Sequence, residues 1–238
     1  LLGLFSQSHI PYAIDRQNDR SYKDVPNLVD MFRAALNQLE GMKDGFVLQV
    51  EGGRVDHAGH GNDAGCILHE FLEFDACIPI ALEFIESHPD TMLVVTTDHG
   101  TGGCQLDGAG SAYLDSGPAL DRINQLRHSF EWLQQGFEAT GKFNPVLVKT
   151  ALGIEPTDTQ AAIVQAALDG EVQYLSGALN QAFGKQLKEL TAVGWTSDKH
   201  TSECVELFAF GPGSEVIPPL IKNYEIFGIL TNALGIKV

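Results

Sequence analysis

Two short apolar runs, at residues 45–50 and 92–97, each stop abruptly at charged residues, histidines and glycines. Residues 62–87 between them repeat apolar side chains at three- and four-residue steps, which predicts a long helix with a kink at Pro79. A buried strand, a helix and a second buried strand in this order indicate a right-handed crossover between parallel strands. We therefore predict an α/β fold containing part of a mostly parallel sheet flanked by helices.

The rest of the chain divides into a helical block and a short return to the sheet. Residues 104–195 lack a convincing strand, whereas the apolar run at 204–210 predicts another core strand. Residues 9–15 are predicted to be a short extended segment, which Pro11 places at an edge. Further helices are predicted at 26–39, 118–137, 144–152, 157–168, 172–190 and 223–234. The expected division is a core segment at 1–103, a mainly helical insertion at 104–195 and a return to the core at 196–238.

Composition excludes several classes of protein. The 238 residues include 15 Lys+Arg and 31 Asp+Glu, and the net charge of −16 disfavours nucleic acid and anionic membranes as partners. A hydrophobic fraction of 44% argues against disorder, and no apolar run is long enough to span a bilayer. The four cysteines lack CxxC spacing, which excludes a cysteine zinc ribbon. Four reduced and mostly buried thiols are the simplest interpretation, and the sequence does not decide whether any two of them form a disulfide.

The first polar cluster follows the run at 45–50. Asp56 and His60 are four residues apart, so one helical turn places them on the same face. A carboxylate oxygen and an imidazole nitrogen on one face form a plausible pair of zinc ligands. Glu51 stands at the predicted strand end, where its oxygens suit a harder ion such as Mg²⁺.

Two more polar positions lie beside the other predicted strands. Asp98 and His99 directly follow the run at 92–97, and His200 shortly precedes the run at 204–210. Ligands in α/β sheets bind outside the carboxyl ends of the strands. A single histidine such as His200 is more often structural than a ligand, but six such residues near predicted strands favour a metal site.

These motifs together resemble the alkaline phosphatase family. The matching segments are Val50-Glu-Gly-Gly-Arg-Val-Asp56-His57-Ala-Gly-His60, Val95-Thr-Thr-Asp98-His99 and His200-Thr201, in the family's order. The resemblance implies that Asp56, His60 and His200 bind one zinc. It also implies that Asp98 and His99 bind a second zinc, that Glu51 binds magnesium and that His57 contacts the substrate.

The resemblance further implies hydrolysis of phosphomonoesters through a phosphoserine intermediate. The family's serine nucleophile lies upstream of these motifs, so we expect this chain to be the C-terminal half of such an enzyme and inactive by itself. Leu114-Asp115-Ser116-Gly117-Pro118 looks like the nucleophile motif but is out of order; Asp115 or Ser116 is predicted to cap a helix. A homodimer and a periplasmic or secreted location are also expected from the resemblance.

The motifs leave two alternative functions open. The parent protein could be a phosphodiesterase or another metal-dependent member of the same superfamily, which shares the spacing but differs in its nucleophile. The chain could instead be a non-catalytic metal-binding fragment or assembly module, with its helical block as the interaction surface.

Overall fold

The structure is a computed structural model that describes residues 2–108, 116–171 and 175–236. The helices, in chain order, are α1 Ala13–Asn18, α2 Leu28–Leu39, α3 Arg54–His60, α4 Ala64–Asp75, α5 Cys77–Ser87, α6 Gly117–Asp121, α7 Phe130–Glu138, α8 Pro145–Leu152, α9 Asp158–Leu168, α10 Leu175–Thr191 and α11 Glu225–Ala233. The strands are β1 Leu93–Thr96, β2 Gly100–Thr101, β3 Gln105–Leu106, β4 Val193–Gly194, β5 His200–Thr201 and β6 Leu207–Phe210. Short 3₁₀ turns occupy Arg20–Tyr22, Arg122–Gln125 and Ser214–Val216.

The chain forms two compact units. The first contains the residues up to Phe74 together with Thr101–His200, and the second contains Asp75–Gly100 together with the residues from Thr201 onward. The chain passes from the first unit to the second after Phe74, at the end of α4, and crosses again inside β2 and inside β5. The division expected from sequence, with boundaries after residues 103 and 195, stays a prediction.

The core of the first unit lies among the helices of the central block. Its largest fully buried apolar side chains come from α1, α7, α8, α9 and α10, and are Ile14, Leu133, Phe137, Val148, Val164, Leu179 and Phe183. Each buried side chain of this size contributes roughly 1.5–3 kcal/mol relative to an exposed one. The helical insertion predicted at 104–195 therefore supplies much of the hydrophobic core of this unit.

Local sequence signals explain where these helices begin. The Ser129 hydroxyl accepts from the Trp132 amide at the start of α7, and Thr157 with Gln160 forms a capping box at the start of α9. Asn144 caps α8, whose first residue is Pro145. These caps satisfy backbone N–H groups that the first helical turn leaves without partners.

Two buried carboxylates accept hydrogen bonds from groups at helix starts that are far apart in the sequence. Asp15 accepts from both the amide and the hydroxyl of Ser129, at 2.9 and 2.6 Å. Asp63 accepts from the Cys66 amide at 3.0 Å and from the Phe130 amide at 2.9 Å. Burial raises the pKa of Asp15 and the pKa of Asp63 above the ordinary carboxyl value. The start of α7 is therefore fixed by two carboxylates from elsewhere in the first unit.

The second unit contains a small sheet, helices α5 and α11, and few fully buried side chains. Strand β1 pairs with β6 antiparallel, with Leu93 opposite Phe210 and Thr96 opposite Leu207. The buried apolar residues described in this unit all lie on α5, and are Cys77, Ile80, Ala81 and Ile85. Much of the apolar surface of β6 and α11 is therefore exposed.

Most of the predicted helices are confirmed with small shifts at their ends. The helix predicted at 118–137 is divided into α6, a 3₁₀ turn and α7, because Ser129 starts a new helix. The helix predicted at 62–87 is also divided, into α4 and α5, at Ala76. Pro79 explains this second break, since it cannot donate to the carbonyl of residue 75 and its ring clashes there.

Sequence-based expectations about extended structure differ from the structure in several places, including 104–195, where β3 and β4 form an antiparallel pair. Residues 45–50 form no strand in the structure, although alternate residues are half-buried. The two ladders β1–β6 and β3–β4 are antiparallel, so these ladders do not have the expected parallel arrangement. Residues 13–15, expected to be extended, begin α1, where the Glu70 carboxylate accepts from the Ala13 amide. At Ala13 a long-range hydrogen bond decided what the local pattern left open.

Along 2–108, 116–171 and 175–236, no helix combines the length and apolarity needed to cross a bilayer.

Candidate metal centre

Helix α3 carries most of the first predicted motif. It runs from Arg54 to His60 and places Asp56 and His60 on one face, one turn apart. The His60 Nε2 and Asp56 Oδ2 atoms are 3.5 Å apart. The helix ends at Gly61, and Asn62 follows with φ +50°, a left-handed conformation common after helix ends.

His200 joins this pair from the far side of the sequence. Its Nε2 lies 3.5 Å from Asp56 Oδ1, and its ring centroid lies 4.9 Å from that of His60. One donor atom from each of Asp56, His60 and His200 falls within a 4.8 Å group. The side chains are about one third to one half exposed, at 33%, 38% and 52%, so the group is accessible from solvent. Three separate sequence positions thus form one candidate metal-binding cluster within the first unit.

The protonation of His60 suits this role. Its Nδ1 lies 2.7 Å from the carbonyl oxygen of Asp198. A carbonyl can only accept, so Nδ1 must carry the proton and donate it. The lone pair of the neutral ring then resides on Nε2, the atom that faces Asp56. A backbone carbonyl that fixes the other ring nitrogen is a common partner of metal-binding histidines.

Asp56 is oriented by the segment that begins at Thr101. The Thr101 hydroxyl donates to Asp56 Oδ1 over 2.6 Å. The backbones of Gly59 and Thr101 approach closely here. A Cβ on Gly59 would lie 3.0 Å from the Thr101 side chain. A Cβ on Gly102, where φ is +75°, would lie 2.7 Å from the Gly59 carbonyl. Glycine is therefore required at Gly102 by both conformation and space.

His57 lies on the same helix but outside the cluster of three. Its Nδ1 is 3.3 Å from the Arg54 guanidinium, and its ring centroid is 4.3 Å from that of His9. Burial, then the positive charge of Arg54 and then His9 lower the pKa of His57 below the ordinary histidine value.

The other predicted ligands are not gathered into this cluster. Glu51 is exposed and lies in the first unit. Asp98 and His99 belong to the second unit, where His99 Nε2 lies 3.0 Å from Asp98 Oδ2. The structure therefore gathers Asp56, His60 and His200 as a group of three, and separately places Asp98 beside His99.

The remaining chemical candidates have structural explanations. Ser116 is the N-cap residue of α6 and Pro118 lies in the first turn, although the Ser116 side chain makes no capping hydrogen bond. Asp115 lies outside the described residues. The four cysteines are free thiols; Cys66 and Cys77 are buried and Cys104 and Cys204 are exposed. The expectation of mostly buried thiols thus holds for half of them.

Sequence reasoning missed the groups that orient these ligands. Arg54 lies inside the motif at residues 50–60, but nothing in its spacing distinguishes it from a solvated surface charge. Thr101 and the Asp198 carbonyl have no sequence signal, because a hydroxyl and a backbone oxygen acquire their roles only through the fold.

Comparisons with known proteins show the family to which the chain belongs. The family model described as alkaline phosphatase matches residues 1–236. The chain belongs to the alkaline phosphatase family. It is 32% identical to alkaline phosphatase 3 of Bacillus subtilis over 238 residues, covering 100% of this chain and 49% of the relative. It is also 31% identical to the repressible alkaline phosphatase of Saccharomyces cerevisiae, covering 94% of this chain and 42% of the relative.

Solved structures of alkaline phosphatases have a similar fold. The crystal structure of the Thermus thermophilus alkaline phosphatase matches with a TM-score of 0.87 and 31% identity, covering 100% of this chain and 53% of that one. The cold-active alkaline phosphatase of Shewanella sp. matches with a TM-score of 0.77 and 29% identity, covering 98% and 55%. The chain thus has an alkaline-phosphatase-like α/β fold and spans about half the length of these relatives.

Proposed function

We propose that this chain supplies the metal-holding part of a hydrolase that acts on phosphomonoesters. The observation that carries the proposal is the convergence of Asp56, His60 and His200 on one accessible point, with a donor atom of each inside 4.8 Å. Family membership supports the class of reaction, and the geometry supports the role of these three residues.

The donor set fits zinc. One carboxylate oxygen and two imidazole nitrogens are ordinary zinc ligands, and three protein ligands leave a coordination position open. His60 already presents its unprotonated Nε2, because its Nδ1 proton is held by the Asp198 carbonyl. Asp56 is held in place by the Thr101 hydroxyl. A zinc ion bound here would supply Lewis-acid stabilisation of the charge that develops on phosphoryl oxygens.

The other predicted ligands belong to the same proposal. Asp98 and His99 would hold part of a second zinc site, and Glu51 part of a magnesium site. Their carboxylate and imidazole groups have the appropriate chemistry. His57 would contact the phosphate group of the substrate. Family resemblance supports these assignments more than geometry does.

The catalytic cycle requires a serine nucleophile that has no counterpart among the motifs matched in this chain. We therefore assign phosphomonoester hydrolysis through a phosphoserine to the whole protein and expect the 238-residue chain to be inactive by itself. Phosphoryl transfer depends mainly on positioning and charge stabilisation, which is the contribution expected of this part. A homodimer and a periplasmic or secreted location remain part of the proposal.

Zinc titration of the purified chain tests the central claim. Calorimetry and metal analysis should show zinc binding that His200→Ala weakens by more than the roughly 10–100-fold expected for losing an outer-shell partner. His88→Ala is the matched control, because His88 stacks on Phe84 in the second unit and is outside the cluster. Zinc binding that is absent, or equally strong in both variants, would contradict the proposed site.

A further inference from the structure

Arg54 occupies an unusual position at the start of α3. Its side chain is 9% exposed, and one terminal nitrogen donates to Glu131 Oε2 over 2.7 Å. The other terminal nitrogen lies 3.3 Å from His57 Nδ1. The centre of the guanidinium lies 3.7 Å from the ring centroid of Tyr12. A buried arginine with this many contacts is not a solvated surface charge.

The Arg54–His57 contact determines which nitrogen of His57 carries the proton. Guanidinium nitrogens have donors and no acceptor, so Arg54 can only donate in this contact. His57 Nδ1 must therefore accept, and the proton of the neutral ring must be on Nε2. His57 thus has the opposite tautomer to His60, whose Nδ1 donates to the Asp198 carbonyl. Both histidines belong to the same short helix.

The orientation of Arg54 is set from two directions. The Tyr12 ring, which is buried, fixes the plane of the guanidinium by a cation–π contact, and Glu131 fixes its rotation. The Arg54 Nε is buried and has no hydrogen-bond partner. Leaving a buried donor unpaired is costly, so the surrounding contacts must outweigh that cost. Arg54 therefore makes its side-chain hydrogen bonds through the two terminal nitrogens, to Glu131 and His57, and not through Nε.

We propose that Arg54 is a positioning residue that locks His57 in its Nε2–H tautomer. His57 then offers a hydrogen-bond donor, rather than an acceptor, to an oxyanion such as a phosphate group. The tautomer follows from Arg54 and His57 alone. The oxyanion as ligand rests on the proposed function, so the experiment separates the two.

Long-range ¹H–¹⁵N NMR of the histidine side chains tests the tautomer without metal or phosphate. We expect His57 Nε2 to resonate in the protonated range and Nδ1 in the unprotonated range. In Arg54→Met both nitrogens should move toward intermediate values, as expected for a mixture of tautomers. A His57 that carries its proton on Nδ1 in the parent chain would overturn the proposal. So would nitrogen shifts that do not change in Arg54→Met.

Two further variants serve as a second test and as a control. Glu131→Gln keeps Arg54 but removes the carboxylate that holds it, and should move the His57 shifts in the same direction by a smaller amount. It also keeps the test usable if Arg54→Met does not fold. Arg33→Met is the matched control, because Arg33 lies exposed on α2, and it should leave the His57 shifts unchanged.

Inorganic phosphate provides the second readout. When it is titrated into the zinc-loaded chain, the Nε2–H resonance of His57 should shift, and Arg54→Met should weaken that binding about tenfold, as for the loss of one hydrogen bond to a charged group. Absence of zinc or phosphate binding with the tautomer intact would count against the proposed function only. Phosphate affinity unchanged in Arg54→Met would overturn the role of Arg54 in ligand binding.

Discussion

The first unit has a closed core, whereas the second leaves much of its apolar surface exposed. Phe137 and Phe183 in the first unit are both 0% exposed. Phe208 and Phe210 on β6 are 64% and 56% exposed, and Phe227 on α11 is 62% exposed. A two-stranded sheet such as β1–β6 is marginally stable without further packing. The candidate zinc cluster therefore lies in the unit that should fold more robustly.

The two predicted zinc sites belong to different units and differ in how firmly their ligands are held. Asp56 is held by Thr101 and His60 by the Asp198 carbonyl, so these ligands are oriented before any ion binds. Asp98 is 79% exposed on its side chain and belongs to the second unit. Preorganised ligands bind more tightly because less side-chain entropy is lost on binding. We expect the Asp56–His60–His200 cluster to have the higher affinity.

The largest expected effect is on stability. Phe137→Ala should cost about 3–5 kcal/mol of unfolding free energy, because it leaves a cavity in a packed core. Phe208→Ala should change stability by no more than about 0.5 kcal/mol, because the ring is largely exposed. Both tryptophans, Trp132 and Trp195, lie in the first unit, so urea unfolding followed by their fluorescence reports on that unit. Circular dichroism, which follows the secondary structure of both units, measures the loss in Phe208→Ala. Equal losses in the two variants would show that the second unit is packed as tightly as the first.

Zinc should stabilise the two units unequally. At a free zinc concentration about 100 times its dissociation constant, the first unit should gain about 2.7 kcal/mol. The transition followed by tryptophan fluorescence should therefore move to higher urea in the parent chain. It should not move in His200→Ala. A zinc-induced shift that persists in this variant would place the ion at some other site.

Buried carboxylates predict an unusual pH dependence in the first unit. Burial raises the pKa of Asp63 in the folded state, so the folded chain holds this proton to higher pH than the unfolded chain does. Stability from this group is then fully present below the ordinary carboxyl pKa, about 3.9, and is lost as pH rises through the raised value. The slope cannot exceed about 1.4 kcal/mol per pH unit for one proton.

Comparison of the parent with Asp63→Asn isolates this contribution. The fluorescence-detected unfolding free energy of the variant should fall less with rising pH in that window, even though the variant is less stable overall. Parallel pH profiles for the two chains would show that the pKa of Asp63 does not differ between the folded and unfolded states.

The last comparison concerns one glycine in each unit, and the smaller effect is expected in the second unit. Gly102→Ala should destabilise the chain by roughly 1–3 kcal/mol, because φ is +75° and a Cβ would meet the Gly59 carbonyl at 2.7 Å. Gly228, inside α11, has open space within 4 Å of the point where a Cβ would lie. Gly228→Ala should therefore stabilise α11 by about 0.5–1 kcal/mol. Thermal unfolding followed by circular dichroism measures both, and a loss in Gly228→Ala would indicate that α11 is more closely packed than its exposure suggests.

The sequence by itself determined most of the helices and the chemical class of the site. Apolar spacing located α2, α8, α9 and α11 to within a few residues, because an amphipathic helix is defined by contacts one turn apart. The four-residue step from Asp56 to His60 likewise fixed their common face. These are local relations, which the order of residues contains directly.

Only the tertiary structure decided what depends on distant partners. Residues 45–50 have the pattern of a strand but form none, and Pro11 did not prevent a helix from starting at Ala13, whose amide donates to Glu70. The meeting of His200 with Asp56, and the opposite tautomers of His57 and His60, also depend on groups far away or on side-chain orientation. Hydrogen bonds and metal ligands require particular atoms within about 3–5 Å, and residue types at given spacings do not specify which distant atoms the fold brings that close.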